Sequence, residues 1–196
     1  MVTNRFALAG FLFLASLGSA VAQSPAGEQT WVVNEHPFTP PGDLDSRVGA
    51  ANLVVRGRIE GGAAEVLPSK DTKFPPIVTT YSFLLLEVLK GPAADLPVNS
   101  RVRVFRQGGT ATKDGRTLRA VNQTFRELEN GEYVLFLEPW PQKQGYRVLW
   151  GNDGVFDVGA SEVKARGGSM VSRMNELKPR DQFLIELRQA AKRPPR

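Results

Sequence analysis

The sequence predicts a mainly β protein: a small antiparallel OB-like barrel of about five to seven strands with a C-terminal amphipathic helix packed on it. Three observations lead there. Leu53–Ile59, Thr79–Leu89, Arg101–Phe105, Tyr133–Leu137, Tyr146–Trp150 and Gly154–Val158 are short β-type runs closed by turn residues, with no helical pattern between them. Helical spacing begins only after Gly167-Gly168. And the 196 residues include no cysteine, so an apolar interior, drawn from 41% hydrophobic residues, must supply the stability that disulfides give many exported domains.

Residues 1–22 have the layout of a signal peptide. Arg5 is the positive flank, Phe6–Leu17 is apolar, and Ala20-Val21-Ala22 is a small-x-small cleavage site before Gln23. That apolar run is about 12 residues, short of the roughly 18 or more that span a bilayer. No cysteine follows it, which excludes a lipoprotein anchor. The expected address is therefore the periplasm or exterior of a bacterium, with no membrane-spanning segment left after cleavage.

Residues 23–49 are expected to be extended. Trp31-Val32-Val33 is a candidate edge strand, Pro37, Pro40 and Pro41 forbid regular structure, and Asp43 or Asp45 suits the cap of a helical turn carrying Leu44 and Val48. The barrel is placed at residues 50–160. In Leu53–Ile59, Leu53, Val55 and Ile59 face one way and Arg56 and Arg58 the other, with Gly57 on the inner side as a bend or bulge. Gly61–Pro76 reads as a long mobile loop. Thr79–Leu89 is apolar on both faces, which predicts a central strand whose outer face is covered, the C-terminal helix being the natural cover. Arg101–Phe105 buries Val102 and Val104 and turns Arg101 and Arg103 outward. Gly108-Gly109 allows a turn, and Thr110–Gly131 is polar, with a short strand expected at Leu118–Val121. Asn130-Gly131 turns into the apolar Tyr133–Leu137, and Tyr146, Val148 and Trp150 share one face of the next strand. Residues 161–196 hold a helix after Pro179, with Phe183, Leu184, Leu187, Ala190 and Ala191 at helical spacing, and a basic tail.

Together, Leu53-Val54-Val55-Arg56-Gly57-Arg58, Tyr81-Ser82-Phe83 running into Glu87-Val88-Leu89-Lys90-Gly91, Val102-Arg103-Val104 with Gly108-Gly109, and Gly131-Glu132-Tyr133-Val134-Leu135-Phe136-Leu137 resemble a group of exported bacterial proteins. Those proteins are similar to the OB-fold barrel of the netrin-like and tissue-inhibitor-of-metalloproteinase domains. The resemblance covers residues 50 to 160, and none of its motifs is a catalytic signature. It implies an OB-fold barrel with the closing helix beyond it, and assigns no activity. The inhibitors' N-terminal cysteine, which meets the target's zinc, has no counterpart here.

Catalytic chemistry finds little to work with. The single histidine, His36, sits in the proline-rich segment, where Asp43 and Asp45 could at most complete a loose metal site. Glu127, Glu129 and Glu132, and Asp153 and Asp157, read as surface charges, since nothing in their spacing indicates an acid–base pair. Gln107-Gly108-Gly109-Thr110 lacks the ending of a phosphate loop. No catalytic residue, metal or cofactor is assigned.

A binding surface is better supported. Arg101, Arg103, Arg106, Lys113, Arg116 and Arg119 face one acid, Asp114, within nineteen residues. Phe105 and Phe125 are candidate aromatic platforms, and Trp140, between Pro139 and Pro141, is the candidate exposed anchor. The speculative ligand-binding set is Arg101, Arg103, Phe105, Arg106 and Trp140. Export argues against nucleic acid; an anionic polymer such as a glycan, an envelope lipid or an acidic extracytoplasmic protein would use the same charges. The first expectation is thus an exported, non-enzymatic binding module. The second is an inhibitor of an extracytoplasmic protease acting through a wedge of loops, and the third a small hydrolase using His36 or paired acids.

Overall fold

The structure, a computed structural model, describes residues 28–32, 39–71, 73–92, 96–121 and 126–193. The signal-like segment, His36 and Phe125 lie outside the described residues. The elements in order are β1 (Gln29–Val32), α1 (Leu44–Ala50), β2 (Leu53–Val66), β3 (Ile77–Lys90), β4 (Arg101–Gln107), β5 (Gly109–Lys113), β6 (Arg116–Val121), β7 (Gly131–Trp140), β8 (Gly145–Val148), β9 (Val155–Val158), β10 (Val163–Ala165), α2 (Met170–Met174) and α3 (Arg180–Lys192).

The main sheet runs β10-β9-β7-β2-β3-β4-β8, and β8 pairs a second time with β7. Hydrogen-bonded neighbours therefore follow one another as β2, β3, β4, β8, β7 and back to β2, which is the strand order of a five-stranded, partly open OB-like barrel. Its seam is thin: β4 meets β8 only at Val104–Tyr146 and Phe105–Arg147, and in parallel. The expected all-antiparallel pairing is thus corrected at that seam. It is corrected again in the second sheet, β1-β6-β5, where β1 runs parallel to β6. The edge strand expected around Trp31 is present as β1.

Gly61–Pro76 is not the expected long loop. β2 continues to Val66 and pairs with β3 from Ile77, leaving only residues 67–76 as the connection. That connection is tied internally, because the Asp71 carboxylate accepts from the Lys73 and Phe74 backbone N–H groups at 2.9 Å each. Register shifts at Arg56/Gly57 and Ile59/Gly61 are the bulges that let a 14-residue strand coil across the barrel. Gly57 is the position where this needs glycine: a Cβ there would sit 2.3 Å from the Leu84 carbonyl oxygen.

Leu53, Val55, Ile59, Tyr81, Phe83, Leu85, Val104, Tyr133, Leu135, Leu137 and Val155 fill the barrel. A second core lies outside it, where Phe183, Leu184, Leu187 and Ala190 of α3 pack on Val54, Val134, Phe136 and Phe156. Phe183 stands 5.0 Å from Phe156, ring centre to ring centre. The expectation that this helix covers β3 holds at the end of that strand, where α3 meets Glu87 and Leu89, and its apolar side chains reach on to β2, β7 and β9. Its rim is ionic. Arg188 binds Glu87 at 2.7 Å and Arg180 binds Glu132 at 3.0 Å, with Arg56 3.6 Å from both carboxylates. Glu132 is therefore not a simple surface charge.

α1 begins at Asp43, whose carboxylate accepts from the Ser46 N–H at 2.7 Å, and its C-terminal carbonyls are held from across the fold. The Lys90 ammonium donates to the carbonyls of Val48, Gly49 and Ala51, each at 2.7 Å. A third, small core joins Trp31 to Ile77, Ala111, Leu118 and Ala120 under the second sheet. The β5–β6 hairpin there, unexpected from the sequence except for β6, turns at Asp114-Gly115 with φ of 51° and 73°, the left-handed pair that a tight hairpin requires.

Candidate functional site: a recess on the uncovered face of β2, β3 and β4

Register sets the outward side chains in rows. Arg58, Leu84 and Arg101 form one row across β2, β3 and β4; Gly61, Ser82 and Arg103 the next; Ala63, Thr80 and Phe105 the third. The middle of this face carries glycine, alanine, serine and threonine, so it lies lower than its arginine-bearing margin. The result is an open recess of about 330 Å³ lined by Gly61, Gly62, Ala63, Thr80, Ser82, Arg101 and Arg103, among others. β3 is hydrogen-bonded on both sides, to β2 and to β4, so at the centre of the floor it offers side chains rather than backbone donors.

The two margin arginines differ. Arg101 is exposed but committed, its Nε donating to Glu60 at 2.7 Å. Arg103 is also exposed, yet no carboxylate stands within ion-pair distance of it among the described residues. Its guanidinium carbon lies 5.1 Å from the centre of the Phe105 ring, and one Nη donates to the Lys143 carbonyl at 3.3 Å. Phe105 is itself fully buried, met edge-on by Trp140 with centres 5.2 Å apart. Arg103, Phe105 and Trp140 thus form one stack that orients the guanidinium before any ligand arrives. Lys143, in the short 3-10 turn Pro141–Lys143, pairs with Glu65 at 2.9 Å and anchors this side of the recess.

The five sequence-predicted site residues therefore separate. Arg101 and Arg103 line the recess. Phe105 is no exposed platform but the support beneath Arg103, and Trp140 is no loop-tip anchor but the last residue of β7, half-buried against Phe105. Arg106 does not belong to this surface at all. It alternates with Val104 on the inner side, is 5% exposed, and donates to Asn152 Oδ1 at 2.7 Å and to the Arg126 carbonyl. Strict period-2 reading of β4 already carried that signal. Gly61, Gly62 and Ala63 were missed because Gly61–Pro76 read as loop, and Thr80 and Ser82 because small hydroxyl residues on a strand read as a strand carry no site signal of their own. Trp150 is likewise moved: it adopts φ 54° beyond the end of β8 and packs against Phe136, away from Tyr146 and Val148.

A buried polar cluster on the opposite side is structural. Arg47, fully buried, donates to the Asp153 carbonyl at 2.8 Å, the Ser169 hydroxyl at 2.6 Å and the Pro41 carbonyl at 3.1 Å. Burial pushes the Asp153 carboxyl up, but hydrogen bonds from Ser169 and Ser172 and the Arg47 charge outweigh it and hold it below its ordinary value. Asp157 pairs with Arg166 at 2.8 Å. These two carboxylates are thus locking groups rather than loose surface charges, and Asp43 and Asp45 are engaged by Ser46 and Arg193.

No protein-family model, no curated protein and no solved structure matches this chain.

Proposed function

We propose that this protein is an exported, non-enzymatic binding module that seats an extracytoplasmic ligand in the recess across β2, β3 and β4. The observation that carries the reading is Arg103: an exposed guanidinium, oriented by an aromatic stack and lacking a carboxylate partner among the described residues, at the edge of a floor of small side chains. Export rests on the signal-like layout of residues 1–22. The preference for binding over catalysis rests on sequence chemistry, with no cysteine and one histidine outside the barrel strands.

The test compares the purified chain with its Ser82→Trp variant, in which an indole fills the recess from an exposed position. Both are screened against immobilised polysaccharides, phospholipid vesicles and envelope proteins. The reading expects a ligand retained by the parent and lost by the variant. Identical retention profiles would remove the recess as the site.

A second reading, protease inhibition through a wedge of loops, draws support from the tip of the β2–β3 hairpin. Phe74 is 44% exposed on a turn tied by Asp71, with Lys73 over its ring at 5.1 Å. A pre-ordered exposed aromatic suits insertion into a cleft. Stoichiometric inhibition of a metallo- or serine protease, abolished by Phe74→Ala, is the result this reading requires.

A further inference from the structure

We infer that the recess recognises a monoanionic carboxylate carried on a saccharide, as in a uronate-bearing polysaccharide. This rests on the recess being the ligand site and goes on to name the ligand's chemistry.

Charge count at the margin argues for one negative charge per contact. Arg101 is neutralised by Glu60, and Lys143 by Glu65. Arg147, next to Phe105 in the parallel pairing, is neutralised by Glu138. Among the described residues, Arg103 remains as the one cation lining the recess without a carboxylate of its own. A single planar guanidinium matches a single planar carboxylate through two parallel hydrogen bonds. A phosphomonoester would bring about two charges beside a margin where Glu60 already pairs with Arg101, and the second would meet repulsion.

The floor argues for a sugar rather than a peptide. An extended peptide gains affinity on a sheet by adding to an open strand edge. Here the floor's central strand has none, since β3 is paired on both sides, and a peptide could add only at the margin, along β2 past Ile59. What the floor presents is the CH surface of Gly61, Gly62 and Ala63 beside the hydroxyls of Thr80 and Ser82. A pyranose ring offers the complement, a CH face below and hydroxyls at its edge, with the carboxylate projecting towards Arg103.

Calorimetric titration of the full chain with polygalacturonate tests this. The expected result is binding that weakens with added salt. Fully methyl-esterified polygalacturonate, in which the carboxylate is gone and the sugar retained, is expected not to bind. Dextran sulfate supplies a tetrahedral monoanion and is expected to bind more weakly. Arg103→Ala is expected to cost about tenfold or more in affinity, the scale of a lost charge-assisted pair. Arg103→Lys, which keeps the charge but not the fork, is expected to recover only part of it, and Arg116→Ala, an exposed position on β6 in the second sheet, to change little. Unfolding midpoints of the variants separate lost binding from lost structure. Equal affinity for the methyl ester, or an Arg103→Ala variant that folds and binds unchanged, would overturn the inference. If Ser82→Trp abolishes capture of some other ligand while polygalacturonate never binds, the recess stands and the uronate is wrong.

Discussion

The two outward faces of β2 make the sharpest contrast in this molecule. At its start, Val54 lies with Val134, Phe136 and Phe156 beneath α3, and the face is closed by Phe183, Leu184 and Leu187 and rimmed by Arg188–Glu87 and Arg180–Glu132. Seven residues on, Gly61 and Ala63 lie with Ser82 and Thr80 in an open recess that no helix covers among the described residues. The strand is continuous and pairs with β3 along nearly its whole length, and with β7 from Leu53 to Ile59. Side-chain volume makes the difference. Large apolar groups draw a helix over themselves, because that burial is the strongest stabilising term available. Small and hydroxylic groups gain little from a lid and leave a hollow that a ligand can use.

Breaking the covered face should have the largest effect. Phe183→Ala removes a fully buried ring from between α3 and the sheet and is expected to cost about 3–5 kcal/mol, read from the urea midpoint. A loss within the surface-substitution range of about 0.5 kcal/mol would show that α3 is not part of the cooperative core. Lys90→Met should follow at about 1–3 kcal/mol, because it strips the donors from three carbonyls at the end of α1 while keeping most of the side-chain volume.

The locking cluster gives a pH-dependent effect. The Asp153 carboxyl is held below its ordinary value of 3.8 in the folded state, so the unfolded chain binds more protons as the pH falls. Its contribution is complete above 3.8 and is lost as the pH drops through the folded value. Asp153→Asn is therefore expected to be less stable than the parent at neutral pH and to lose less on acidification, in urea melts taken from pH 6 down to about 2. A parallel pH profile would separate Asp153 from the acid transition. The smallest effect sharpens the comparison from the uncovered side: Ser82→Ala should shift stability by no more than about 0.5 kcal/mol, since the hydroxyl faces solvent in the recess. A larger loss would mean that this face is structural after all.

Much of this architecture was legible in the residues. Period-2 alternation placed Leu53, Val55, Tyr81, Phe83 and Val104 indoors, and 3.6-residue spacing placed Phe183, Leu184, Leu187 and Ala190 on one helical stripe. Asp43 was legible as a cap, and Asp114-Gly115 carried a hairpin signal that the surrounding polar residues obscured. Carrying the alternation of β4 one residue further would have sent Arg106 inward. What could not be read was how far α3 reaches beyond the end of β3, since Val134, Phe136 and Phe156, against which Phe183 packs, come together only by folding.

Local chemistry, then, determined the elements: where the chain bends, which side chains alternate inward, how α1 begins, and that a cysteine-free interior must hold the whole. Tertiary structure alone decided the site. Gly61, Ser82 and Arg103 are separated by about twenty residues at each step of the chain and become neighbours only through strand register. Arg103 stands out from the other arginines because folding gives Arg101, Arg147 and Arg188 each a carboxylate and gives Arg103 an aromatic ring. Charge pairing of this kind is a property of distances in space, which a linear order of residues does not contain.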